Sequence, residues 1–180
     1  MIKIILSLTF IISSVLAGEF DAIIKNYDSG LYKKVCLDGS KKIYTIKNEQ
    51  ILSLIGDACI RVDYINPLGD VVKGLVSTKN FRENGSYFAT ILLQKKLLYQ
   101  FMNDNIDITK LRLPRTAYVL SVVFENIAKK NYKVLKKSPK QIEIDLGSKK
   151  YIVWLKTGKL SKVYIGEYKN GELIKEHWYL

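Results

Sequence analysis

The sequence predicts an α+β fold, with N-terminal antiparallel helical hairpins packed with a C-terminal antiparallel β-meander. Three observations predict it. Between Phe20 and Ile127 apolar residues recur at the spacing of helix faces. From Asn131 the period shortens, and Gln141-Ile142-Glu143-Ile144-Asp145-Leu146 alternates polar with apolar residues, as a strand with one wet face does. Asn170-Gly171 is the strongest hairpin signal in the chain. No Gly/Ser/Pro-rich linker separates the helical region, residues 18–130, from the meander, residues 131–180. The two are therefore expected to dock as one compact unit.

The first residues, MIKIILSLTFIISSVLAGEF, carry one cation, Lys3, before an apolar run from Ile4 to Ile12. Val15 and Ala17 then occupy the positions a signal peptidase reads. The run is shorter than the roughly 20 residues that span a bilayer. Residues 1–17 are thus expected to be a signal peptide cleaved after Ala17, and the protein to be periplasmic or secreted. Glu19 stands where a bacterial lipoprotein would carry its lipidated Cys, so a lipid anchor is not expected. The cut removes one charged residue, Lys3, and takes the formal charge from +12 to +11. What remains is long enough for one domain with a real core.

Helical elements follow in order. Phe20, Ile23, Ile24 and Tyr27 share a face, and Asp28-Ser29-Gly30 interrupts it. A second run carries Leu31, Tyr32, Val35 and Cys36, and Asp38-Gly39-Ser40 is expected to end it. Ile43 to Ile46 reads as a loop or a short extended piece. Asn48 caps a clear helix whose face is Ile51, Leu52, Ile55, Ala58, Cys59 and Val62. Asn66-Pro67 opens the next, with Asn as the cap and Pro at the first helical position, and its face runs from Leu68 to Val76. Thr78 is placed to cap the longest helix, Phe81 to Met102. That segment is apolar nearly all round, with only Ala89, Lys96 and Gln100 as a wet strip, which predicts burial on several sides. Asn103 to Arg112 is a polar connection with Ile106 and Ile108 tucked in. Pro114 and Thr116 are expected to start the last helix, with Val119, Leu120, Val123, Phe124 and Ile127 facing the core.

In the meander, Tyr132 to Leu135 reads as a strand, Ser138-Pro139 as a turn, and Tyr151 to Leu155 as a strand buried on nearly both sides. With Asn170-Gly171 as a two-residue loop, simple counting pairs Lys169 with Glu172, Tyr168 with Leu173, Tyr164 with His177 and Val163 with Trp178.

Two cysteines, Cys36 and Cys59, survive the expected cleavage. An even count in an exported chain argues for a disulfide between them, which would hold the second and third helices together. Two Cys with the single, distant His177 do not make a zinc set. The basic charge is dispersed in pairs such as Lys33-Lys34, Lys95-Lys96 and Lys136-Lys137, which suits either solubility or loose contact with anionic polymers.

The helix pairs between Phe20 and Met102, with the small-residue segment Ile55-Gly56-Asp57-Ala58-Cys59, resemble tetratricopeptide or Sel1-type helical hairpins, although no consensus recurs at a fixed period near 34. The blocks Asp57-Ala58-Cys59-Ile60, Phe81-Arg82-Glu83-Asn84 and Tyr87 through Lys96 resemble a group of uncharacterised exported proteins of Campylobacter- and Helicobacter-like bacteria. That resemblance implies a periplasmic address and carries no catalytic residue with it.

Chemistry-bearing patterns are few. Neither GxGxxG nor GxxxxGK[ST] occurs. Asn103-Asp104-Asn105-Ile106-Asp107 alternates oxygens, but an EF-hand needs Gly at the sixth position and Glu at the twelfth, where this chain has Ile108 and Pro114. Glu143 and Asp145 share a strand face that reads as solvated. His177 reads as a strand-edge residue. Four residues are candidate binding positions. Lys95 and Tyr99 belong to the long helix, where Lys95 either snorkels to the edge or floors a groove. Trp154 and Trp178 belong to an aromatic, Lys-interleaved meander that either covers the helices or stacks sugars or bases. The expectation is a non-enzymatic periplasmic protein-interaction or scaffold module without metal or cofactor, its partner an envelope protein. The alternative is a binder of anionic envelope glycan or lipid. Export argues against nucleic acid.

Overall fold

The computed structural model describes residues 20–180; the expected signal peptide, residues 1–17, lies outside the described residues. Among the described residues six α-helices precede a five-stranded antiparallel sheet, the α+β arrangement. The chain divides into two compact units, the first ending at Ser86 and the second spanning Tyr87–Leu180.

In the first unit, α1 covers residues 20–28 and α2 covers Tyr32–Ser40. Gly30 joins them at φ +73, a conformation that glycine adopts without strain. A 3-10 turn, Ile43–Thr45, resolves the ambiguous stretch and leads to α3, Glu49–Arg61. Asn48 caps α3 as expected: its Oδ1 accepts from the Gln50 and Ile51 N–H groups at 2.9 and 3.3 Å. Cys36 and Cys59 form the disulfide that fastens α2 to α3. The Asp38-Gly39-Ser40 stretch corrects the sequence reading. α2 does end there, at Ser40, but the stretch is the helix's last turn and not a turn that follows it. Gly39 is buried, and a Cβ there would lie 2.5 Å from Ile55 Cγ1, so this glycine lets α2 and α3 approach closely. Turn chemistry and close packing select the same residue, and only the packed structure tells them apart.

The helix expected from Leu68 to Val76 is also shorter than its apolar spacing implied. α4 is Leu68–Val71, followed by a 3-10 turn at Val72–Gly74, and Val76 is exposed. The Glu49 carboxylate accepts from the Val76 and Ser77 N–H groups, while Arg82 Nη1 donates to both carbonyls. Those bonds give the backbone of residues 76–77 partners that a continued helix would otherwise supply. α5, Lys79–Tyr99, begins with Thr78 Oγ1 accepting from the Phe81 N–H at 3.3 Å.

The second unit holds the rest of α5, a π-turn at Gln100–Asp104, α6 (Val119–Ala128) and the sheet. α5 is not wrapped all round, contrary to the sequence expectation. Phe88, Ile91, Lys95 and Leu98 are buried along one face, while Leu93 is 44% exposed. Gln94 is also buried, because its polar atoms find partners inside. Counting apolar side chains cannot anticipate a satisfied buried amide. Between the two helices Ile108 is buried but Ile106 is exposed. α6 starts later than expected, at Val119. The Thr116 and Ser121 hydroxyls, 2.7 Å apart, hold the preceding backbone in a non-helical turn, with Ser121 Oγ accepting from the Thr116 N–H and Thr116 Oγ1 from the Tyr118 N–H.

The sheet is a meander in the order β1-β2-β3-β4-β5: Lys133–Lys137, Lys140–Asp145, Lys149–Lys156, Lys162–Lys169 and Glu172–Tyr179. Its inner face presents Ile142, Ile144, Tyr151, Val153, Val163, Ile165, His177 and Tyr179, all buried. β3 is half-buried on its other side, at Ile152 and Trp154. Within this unit the Tyr118 hydroxyl lies 2.8 Å from that of Tyr179, Phe101 meets Tyr132 edge to face, and Lys140 Nζ donates to the Phe101 carbonyl.

The register of the last hairpin departs from simple counting. Lys169–Glu172 and Tyr168–Leu173 pair as expected, but a bulge follows, and Glu167 pairs with Lys175. Tyr164 then stands opposite Trp178 and Val163 opposite Tyr179. One unpaired residue, Ile174, moves everything beyond it by one position and so to the other face.

Candidate binding surface

The outer face of the sheet is built by that bulge. Gln141, Trp154, Tyr164 and Trp178 are successive register partners across β2, β3, β4 and β5, so their side chains form one row. The Trp154 and Tyr164 rings are stacked, 5.3 Å between centroids and 13° from parallel. Trp178 is 44% exposed, and Lys162 Nζ sits 4.2 Å from its ring centroid. Gly166 keeps the row open. A Cβ there would meet Tyr168 Cε2 at 2.9 Å, Leu173 at 3.3 Å and Trp154 at 3.4 Å. At one end of the face Lys150 Nζ reaches Glu143 at 3.1 Å and Asp145 at 3.7 Å. These carboxylates are thus tied to a lysine.

Lys95 and Tyr99 come together elsewhere, lining a cavity with Lys96, Gln100, Asp104 and Leu180. Lys95 is 5% exposed, and burial, with the neighbouring Lys96 charge, pulls its ammonium pKa down to about 8. The four candidate residues therefore form two separate pairs. Lys95 and Tyr99 share the cavity; Trp154 and Trp178 share the sheet row through Tyr164.

Sequence reasoning missed two parts of this geometry. Tyr164 and Lys162 complete the aromatic row, and the bulge that aligns them leaves no mark in a two-residue-turn count. His177 does lie on an edge strand, β5, but it does not face Tyr164. It is buried opposite Ile165, with Nε2 2.6 Å from Glu167 Oε1 and its ring stacked on Tyr179. The Glu167 charge, together with burial, also raises the Tyr151 pKa, burial being the larger cause. This cluster satisfies buried polar atoms within the hydrophobic face. Among the described residues no group of three or more His, Cys, Asp or Glu is placed to hold a metal ion, and no helix is long and apolar enough to cross a membrane.

Trp154 and Tyr164 cover each other's inner faces, so the exposed Trp178 offers most of the free ring surface to the C–H groups of a sugar ring. The row spans three adjacent strands from Trp154 to Trp178, roughly 10 Å. Lys162 adds a cation at its edge for an anionic substituent. No protein-family profile, curated protein or solved structure matches the chain.

Proposed function

We propose that this protein is an exported, non-enzymatic binding module that holds an anionic envelope glycan on the outer face of its C-terminal sheet. The observation that carries the reading is the solvent-facing row Trp154–Tyr164–Trp178 with Lys162 over its last ring. Aromatic rings on a solvent face gain from ligand contact what they lack from core contact. A formal charge of +12 for the whole sequence, +11 once Lys3 is lost with the expected signal peptide, draws polyanions toward the surface. The disulfide and the signal-like first residues support a periplasmic setting, as does the resemblance to exported proteins of Campylobacter- and Helicobacter-like bacteria.

The test is binding of the purified chain to cell-wall sacculi and to a soluble acidic polysaccharide, beside vesicles of anionic lipid. Retention on the glycans, lost on substituting Trp178→Ala, supports the reading. Equal retention of the variant, or preference for vesicles, overturns it.

A second reading, a scaffold for an envelope protein, is favoured by the helical hairpin of the first unit. Leu31 and Leu37 are exposed there and line a shallow cleft with Tyr32, Lys33 and Lys34. An acidic partner with an apolar anchor fits that chemistry. Crosslinking in the envelope fraction, followed by mass spectrometry, tests it, and loss of the crosslinked species on Leu37→Glu is the supporting result.

A further inference from the structure

A cleft of about 180 Å³ lies wholly within the second unit, between α5, the segment before α6, and α6 itself. Its lining is mainly apolar: Leu113 and Pro114 come from the connecting segment, Phe124 and Ala128 from α6. Phe124 and Ala128 are buried. Two polar side chains that also line it, Gln94 and Ser121, are almost wholly buried and bonded to their surroundings. Ser121 Oγ donates to Gln94 Oε1 at 2.9 Å, Gln94 Nε2 donates to the Pro114 carbonyl at 3.3 Å, and the Thr116 N–H donates to Ser121 Oγ at 2.9 Å. These bonds pin the connecting segment to both helices, so the backbone of the cleft is in place before any ligand arrives, which lowers the ordering cost of binding.

The polar side of the cleft is cationic. Arg112, Arg115 and Lys129 line it, with Glu125 as the one carboxylate. Lys129 Nζ is 2.6 Å from Glu125 Oε1, and Arg115 Nη1 is 3.7 Å from Oε2. Arg112 Nη1 donates to the Thr109 and Leu111 carbonyls at 2.8 Å each, which fixes its guanidinium. Three cations against one carboxylate leave two positive charges unanswered beside an apolar slot. A neutral apolar ligand would gain nothing from them, and a bare inorganic anion would gain nothing from Phe124 and Ala128.

We propose that this cleft binds a short aliphatic carboxylate, its chain against Phe124 and Ala128 and its carboxylate among Arg112, Arg115 and Lys129. The volume suits a ligand of about six carbons, allowing about 30 Å³ for each water-sized group. The site is independent of the sheet row, because no residue lines both.

The probe is hexanoate, titrated into the isotope-labelled chain and followed by amide chemical shifts, with acetate and hexanol as controls. Saturable shifts at Ser121, Phe124 and Ala128, stronger for hexanoate than for either control, are expected. Arg115→Glu, at a side chain 72% exposed to solvent, is expected to weaken hexanoate by at least about tenfold while leaving the fold unchanged. Ala128→Leu fills the slot and is expected to abolish the shifts. If that variant fails to fold, Arg115→Glu decides alone. Hexanoate binding no tighter than acetate removes the apolar slot from the account. Equal binding of hexanol, or hexanoate affinity unchanged in Arg115→Glu, removes the cationic side. Any of these results overturns the proposal.

Discussion

Trp178 stands opposite Tyr164 because Ile174 bulges out of the pairing between β4 and β5. Without that extra residue, Trp178 would point into the hydrophobic face and His177 out into solvent. The bulge therefore decides which aromatic ring is available for binding and which polar ring is buried. It also places His177 beside Glu167, where both are satisfied.

Glycan binding by the outer face, as proposed, would combine ring stacking with charge, and salt would separate the two. Raising ionic strength from about 0.1 M to 1 M shortens the screening length from about 10 Å to about 3 Å. Glycan affinity is expected to fall but not vanish, because the stacking contribution persists. Lys162→Gln should flatten the salt dependence, whereas Trp178→Ala should lower affinity at every salt concentration. Affinity electrophoresis across a salt series checks both.

Lys95 carries a depressed pKa of about 8, caused first by burial and then by Lys96. Between that value and the ordinary lysine pKa near 10.4, the unfolded chain binds more protons at this position than the folded one. Stability should therefore rise with pH across this window through this group, by about 3 kcal/mol at most. Below pH 8 both states are protonated and the full penalty of a buried ammonium remains. Lys95→Met is expected to fold, to be more stable than the parent at pH 7, and to lose this part of the pH dependence. Urea melts at pH 7 and pH 10 for both chains measure it, and parallel pH profiles would contradict the assignment.

The Cys36–Cys59 disulfide closes a loop across a sequence separation of 23 residues. Reduction, or a paired Cys→Ser substitution, is expected to destabilise the chain by about 3 kcal/mol. Denaturation with and without reductant checks this, and coincident midpoints would mean that the reduced chain keeps the two helices together by packing alone.

Gly39→Ala adds one methyl where Ile55 Cγ1 already stands 2.5 Å away, in the buried contact of α2 with α3. On an exposed helix the same change would stabilise by about 1 kcal/mol. Here overpacking is expected to outweigh that gain and to destabilise by about 1–3 kcal/mol. Gly39→Ala combined with Ile55→Val should recover part of the loss, as a double-mutant cycle would show.

The legibility of the chain follows the range of the forces involved. The Asn48 and Thr78 caps could be read directly, because each bond spans three residues or fewer. The order of helices followed by a meander was equally legible, since periodicity is a local property. The cysteine pairing followed from an even count of two. That the chain is not helical at Val76 and Ser77 was not legible, because Glu49, which accepts from their N–H groups, lies far earlier in the chain.

By itself, then, the sequence determined the fold class, the Asn48 and Thr78 caps, the disulfide partners and the residues of the last hairpin turn. The expected Asn66 cap, by contrast, is replaced by Pro67, which caps α4 without a side-chain bond. The tertiary structure alone decided that Gln94 and Lys95 go inside while Leu93 goes out, that Gly39 is a packing contact, and that Trp154, Tyr164 and Trp178 form one row. The physical reason is the same in each case. Burial of a polar group, tolerance of a glycine and the facing of a strand residue depend on partners far away in sequence. No local pattern names those partners.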